Sequence, residues 1–321
     1  MGYLIDNLQY ANWSPKIFAQ MREGGVDAVH VTTAYHEDFR GLVRNLSAWN
    51  RRFAEHSDLI VRAVRAGDVR AAHAAGRTAI LLGAQSPGPI GDDIDMIEVL
   101  HQLGLRFMQL TYNTQSLLGA GCFEDRDSGL TRFGRQAVAE MNRVGLVVDL
   151  SHAGPRTALD AIAASARPVA ITHANPADWH PMPRNLGPAV LDALFAGGGM
   201  LGLSLYPHHL RGGSACTLAD FCAMVAGLAD RYGAGHIGIG SDLCQDQPDS
   251  VVHWMRNGTW NRARDPSDGA GFPPMPAWFR DNRDFGNIRA GLLSAGLGPA
   301  AVDGIMGDNW LRFYDESFGP A

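Results

Sequence analysis

The chain has 321 residues, 46% of them hydrophobic and 19% charged, with no low-complexity tract, so it can bury a sizeable core and reads as globular rather than disordered. Its formal charge of -6 is mild and its basic residues are scattered, which gives no electrostatic footprint for nucleic acid and excludes that partner. Four cysteines, Cys122, Cys216, Cys222 and Cys244, form no CxxC pair and point to a reducing compartment rather than a disulfide framework.

The opening "MGYLIDNLQYANW" lacks the basic start and apolar core of a signal peptide. No later apolar run approaches the ~20 residues of a membrane span, so the expected location is cytoplasmic, with no membrane partner. Apolar runs of strand length then recur at 3–8, 28–32, 78–85, 106–113, 146–152, 168–173, 200–206 and 236–243. Helical patterns separate them. "SPKIFAQMREGG" offers Ser14 as N-cap, Pro15 at the first helical position and glycines at the close. "TRFGRQAVAEMNRVG" ends on Gly145, and "PRTALDAIAASA" and "TLADFCAMVAGLADRYG" have the same character.

Runs apolar on both faces, such as "AILLGA" and "GMLGLSL", suit a parallel sheet covered by helices. Eight strands alternating with helices predict an α/β fold, a closed (β/α)8 TIM barrel, as one domain over 1–321. An open doubly wound sheet is the alternative, but no GxGxxG turn follows the first strand, and "GIGS" at 238–241 is too weak a fingerprint. From 245 to about 287 the chain is rich in Pro, Gly, Asp and Arg yet carries Trp254, Trp260, Phe272, Trp278 and Phe279. Its length and place after the last strand predict a lid-like insertion over the barrel mouth, or an arm of a dimer interface.

In a parallel barrel the C-terminal strand ends converge on one pocket. Gln85, Tyr112, Asn113, His152, His173, Tyr206 and Asp242 all fall at such ends, with His208 and His209 just beyond the seventh strand. A single strand-end histidine is ordinarily a hydrogen-bonded core residue. Two on adjacent strands, with Asp242 on the strand that closes the barrel, place two imidazoles and a carboxylate around one point. Three such ligands with an open fourth position are what a hydrolytic zinc site requires.

The stretches "LTYNTQSLLGAGCFEDRDSGLTRFGRQAVAEMNRVGLVVDLSHAG", "ITHANPADWHPMPRN", "GIGSDL" and "GIMGDNWLRFY" occur in one order, and with them the chain resembles the membrane dipeptidase family of barrel metallopeptidases. That resemblance implies a site built for two zinc ions. His152 and His173 match two histidine ligands, Arg184 in "MPRN" matches the arginine that binds the substrate carboxylate, and Asp242 matches the aspartate near the scissile group and the free amine. The opposite half departs from the pattern. Leu8 and Tyr10 stand where His-x-Asp would ligate, Gln85 stands for the bridging Glu, and Tyr112 stands for the catalytic histidine of "LTHN".

Since Leu8 cannot coordinate and neutral Tyr10 or Gln85 brings no charge, a second metal is not expected. The remaining expectation is one zinc on His152 and His173, with Asp242 moved towards it and Gln85 as a weak oxygen donor or a group behind the ligands. The first functional reading is a hydrolase that cleaves a dipeptide or N-substituted amino acid with a mononuclear metal-activated water. Asp242 and Tyr112 are then catalytic and contact substrate, with Tyr112 on the oxyanion, and Arg184 grips a substrate carboxylate. The alternatives keep the barrel without the metal. One is an acid/base enzyme, such as a lyase or isomerase acting on a small zwitterion, with Trp13 and lid tryptophans facing a quaternary amine by cation-π contact, and the other a non-catalytic relative that binds an amino acid or a betaine-like molecule. The resemblance and the aromatic-rich insertion lean towards a homodimer.

Overall fold

The computed structural model describes residues 2–259 and 271–319. Trp260, one of the aromatics of the insertion, lies outside them. Nine strands run in parallel: β1 Ile5–Gln9, β2 Ala28–Thr32, β3 Ile60–Ala63, β4 Thr78–Ala84, β5 Leu105–Gln109, β6 Val147–Asp149, β7 Ala170–Ala174, β8 Met200–Leu203 and β9 Ile237–Ile239. Pairing of β1 with β9 and of β2 with β4 closes a barrel of the eight expected strands. The ninth strand, β3, is additional. β2 lies along one edge of β4, so β3, paired over Thr78–Leu81, and β5, paired over Leu82–Ala84, share the other edge. β3 is short and reads "IVRA", with Arg62 half-buried, which left its apolar signal too weak to separate from the helix before it.

Helices cover the barrel where the pattern placed them. Pro15–Glu23, Arg132–Val144, Pro155–Ala164 and Leu218–Tyr232 correspond to the four quoted helical stretches. Thr131 caps its helix by accepting a hydrogen bond from the Gly134 amide, and Gly145 closes it with a left-handed φ of 80°. Ser14 holds the N-cap position of the first helix, but its side chain makes no capping bond.

The C-terminal helix Asn309–Ser317 seals the bottom of the barrel, where Trp310, Phe313 and Tyr314 are buried among inward residues of the strands. Trp310 donates its indole N–H to the carbonyl of Ile239 at 2.9 Å. A Cβ at Gly238 would come within 2.2 Å of that indole nitrogen, so the glycine of "GIGS" exists to admit a tryptophan. No helix among the described residues is long and apolar enough to cross a membrane.

After β9 the chain leaves the barrel through Gln245 and comes back through Asn282. Asn282 Nδ2 donates to Gln245 Oε1 at 3.0 Å, and Gln9 Nε2 donates to Asn282 Oδ1 at 2.7 Å and to Asp6 Oδ2 at 2.8 Å. Gln245 in turn donates to Gln20. A buried chain of amides thus ties both ends of the segment to β1 and the first helix. Between these ends, Val252–Asn257 is a short helix, while Trp278 packs on Phe221 and Phe279 on Phe285, away from the barrel mouth.

Candidate active site

At the C-terminal end of the barrel lies a cavity of about 530 Å³. Its lining includes Gln85, Tyr112, Asn113, His152, Arg184, Tyr206, His208, His209 and Asp242, together with Met255, Arg256 and Asn257 from the segment after β9. Gln85, Tyr112, His152, Tyr206 and Asp242 sit one to three residues past the end of a strand. The strands stop earlier than their apolar runs do. At β6 the reason is visible: the Asp149 carboxylate accepts from the amide of Ser151 at 3.0 Å, a turn that ends the ladder and lifts His152 towards the cavity.

Asp149 organises more than the turn. It is buried and accepts from the hydroxyls of Ser151 and Thr172 at 2.5 and 2.6 Å, the amide of Thr172 at 3.1 Å, and Gln109 Nε2 at 2.9 Å. Because the Thr172 hydroxyl spends its proton on Asp149, it must accept from His173 Nδ1, 2.9 Å away. His152 Nδ1 likewise donates to Asn113 Oδ1 at 2.7 Å. Both imidazoles therefore carry their proton on Nδ1, and both Nε2 lone pairs face the same point.

The Nε2 atoms are 3.1 Å apart, and Gln85 Oε1 stands 3.1 Å from that of His152. The Gln85 amide is held in this sense because its Nε2 donates to Thr32 Oγ1 at 2.7 Å and to the Tyr35 hydroxyl at 3.0 Å. Three acceptors without a proton between them are what a cation position looks like, and imidazoles oriented through Nδ1 are the usual form of metal-ligating histidine. Burial first, and then the charge of Arg184, hold both histidines well below their ordinary proton affinity, so they stand neutral. The residues present fit one metal ion with His152, His173 and the Gln85 oxygen as donors.

Asp242 is a correction to the expected ligand set. No group of three His, Cys, Asp or Glu side chains among the described residues is arranged to hold a metal, so the structure does not bring Asp242 to the two histidines. Its backbone turns at a φ of 56° immediately after β9, and its amide donates to the carbonyl of Leu8. The carboxyl then lies near Tyr112, Tyr35 and Cys244, whose proton affinities its charge raises. No described residue donates a hydrogen bond to it, and burial, only partly offset by Arg184, pushes its pKa up to about 7.

That shift predicts a pH dependence of stability. The folded pKa lies above the unfolded one, so folding takes up a proton, and the contribution of Asp242 is full at low pH and falls as pH rises from about 4 through 7. Thermal melts of Asp242→Asn are expected to show a smaller decline over that window than the wild type. An identical decline in both proteins contradicts the assignment.

Arg184 is 4% exposed, and its Nη2 donates to the carbonyl of His173 at 3.2 Å. Its Nη1 is buried without a hydrogen-bond partner among the described residues. The half of the pocket that differs from the dipeptidase pattern is filled by rings. Tyr10 packs edge-on against Tyr35 at 4.6 Å, Tyr35 against Tyr112 at 5.1 Å, and Tyr112 lies 4.3 Å from the His152 ring. Leu8 is fully buried. Trp13 does not reach the cavity and packs against Phe18 and Trp49. Of the tryptophans after β9 that the structure describes, Trp254 approaches the Tyr35 ring and Trp278 does not.

Tyr35, Cys244 and Asp149 were not singled out from the sequence. Tyr35 follows β2 in "VTTAYHED", so the strand-end rule that found the others reaches it when applied to the second strand. Cys122 is half-buried, and desolvation pushes its thiol up to about 11, which suits a structural role.

A parallel barrel with a polar pocket at its C-terminal mouth and two preoriented histidines is the architecture of metal-dependent hydrolases. The membrane dipeptidase (peptidase family M19) profile matches residues 13–254, and the chain belongs to that family. An amidohydrolase structure from Pseudomonas aeruginosa is 34% identical and superimposes with a TM-score of 0.94, over 99% of this chain and 97% of that one. A Rhodobacter sphaeroides metallopeptidase with a phosphinate mimic of L-Ala-D-Ala shares the fold at a TM-score of 0.81 and 19% identity, over 98% of this chain and 99% of that one. Among curated relatives, dipeptidase verJ of Clonostachys rogersoniana is 31% identical over 89% of this chain and 67% of its own length, and dipeptidase tcpJ of Claviceps purpurea is 27% identical over 90% and 62%. The chain thus spans about two thirds of the length of these relatives.

Proposed function

We propose that the protein is a hydrolase for a small amide with a free carboxylate, a dipeptide or an N-substituted amino acid, that works with one zinc ion. The observation that carries this reading is the pairing, in one cavity, of a buried guanidinium with an unsatisfied Nη1 and two imidazoles whose lone pairs converge. His152 and His173 would hold the metal, with the Gln85 oxygen beside them. Zinc there supplies Lewis-acid polarisation of the scissile carbonyl and of the attacking water.

The other steps belong to the chain. Arg184 takes the substrate carboxylate through its free N–H groups, satisfying a donor that is otherwise buried alone. Asp242, poised near neutrality, accepts the proton released as water attacks and passes it to the leaving amine. Tyr112, whose hydroxyl makes no hydrogen bond with any described residue, donates to the developing oxyanion. The segment after β9 acts as a cover, since Met255, Arg256 and Asn257 form part of the wall.

Two measurements test the reading. Metal-free protein dialysed against zinc in the presence of saturating N-acetylalanine is expected to retain about one ion per chain, and His173→Ala to retain almost none under the same conditions. Loaded wild-type protein is expected to cleave dipeptides or N-acyl amino acids and to leave their C-terminal amides intact. Zinc uptake that is unchanged in His173→Ala, or equal cleavage of the amides, refutes it.

A further inference from the structure

The guanidinium of Arg184 and the two histidine lone pairs share a cavity in which their charges conflict. Two imidazoles and an amide oxygen are neutral donors, so a divalent ion held by them receives no compensating charge from its ligands. Arg184 makes this worse. Its Nη2 donates to the backbone carbonyl of His173 at 3.2 Å, and it lines the same cavity as His152. A fixed positive charge this close to the two imidazoles repels a dication from the position between them. Asp242 is the one acid among the described residues of the lining, and burial pushes its pKa up to about 7.

A ligand carboxylate on Arg184 changes this balance. It satisfies the orphan Nη1 and cancels the guanidinium charge at short range, inside a pocket where solvent screens little.

We infer that metal and substrate carboxylate bind to this protein cooperatively, so that the two-histidine position holds a divalent ion firmly only when an anion is seated on Arg184. This rests on the hydrolase reading above and adds an order of assembly to it. The empty enzyme binds zinc weakly, the carboxylate ligand recruits it, and by reciprocity zinc strengthens carboxylate binding by the same factor.

The test is a zinc titration against a competing chromophoric chelator at pH 8, where Asp242 is largely ionised in every arm. It is run on wild-type protein alone, with saturating N-acetylalanine, and with N-acetylalaninamide, which differs only in lacking the carboxylate. Zinc affinity is expected to rise ~10-fold or more with N-acetylalanine and not with the amide. Arg184→Gln is expected to bind zinc more tightly than wild type without any ligand, and to ignore N-acetylalanine. If that variant does not fold, the acid and amide pair on the wild type decides alone. Equal zinc affinity with and without N-acetylalanine overturns the coupling and leaves the zinc-dependent reading standing, whereas no zinc binding in any arm removes both.

Discussion

Asp149→Ala is expected to lower the unfolding free energy by roughly 4 kcal/mol or more, measured by urea titration, because it strands several buried donors at once. The substitution removes the acceptor shared by two backbone amides, two hydroxyls and a glutamine, with nothing in the barrel interior to replace it. Asp149→Asn separates folding from function. An amide there keeps most of the bulk and one acceptor but presents N–H to the Thr172 hydroxyl, which then accepts from the amide and donates to His173 Nδ1. That moves the imidazole proton to Nε2 and covers the lone pair aimed at its partner. A folded Asp149→Asn protein is therefore expected to lose about 10- to 100-fold in zinc affinity. Unchanged zinc binding in a folded Asp149→Asn variant contradicts the tautomer argument.

Arg184→Gln has the opposite signature. It is expected to weaken binding of a carboxylate-bearing dipeptide analogue at least ~100-fold in calorimetry while leaving the melting temperature equal to or above that of the wild type. The buried guanidinium is desolvated and meets only a carbonyl among the described residues, so its removal relieves a cost in the free protein. A collapse of thermal stability with ligand binding intact identifies Arg184 as a structural cation instead.

The barrel was legible because its strands are buried on both faces and its helices carry proline starts and glycine stops. β3 escaped because four residues with a half-buried arginine give neither a continuous nor an alternating apolar signal. In the site, the strand-end rule located His152, His173, Tyr112 and Gln85, because convergence follows from topology, whereas Arg184 came only from the family resemblance. It failed for Asp242 as a metal ligand, since a left-handed residue after β9 sends the carboxyl towards the phenols, and a backbone angle of that kind leaves little trace in "GIGSDL". Asp149 was overlooked within "VVDLSHAG" for a related reason. An acid inside an apolar run announces a buried network, but its partners, Gln109 and Thr172, come from neighbouring strands that only the fold assembles.

The amide chain linking Gln9, Asn282, Gln245 and Gln20 also bears on how such a barrel diversifies. Because the departure and return points of the segment after β9 are pinned to each other and to β1, the position of that strand does not depend on the length of chain between them. Lengthening that chain carries a small entropic cost, about 0.6 kcal/mol per doubling, and transmits no strain to the strands that aim the histidines. Pocket walls contributed by Met255, Arg256 and Asn257 can therefore change without moving the strand ends that carry the histidines, a mechanical separation held by four side-chain amides.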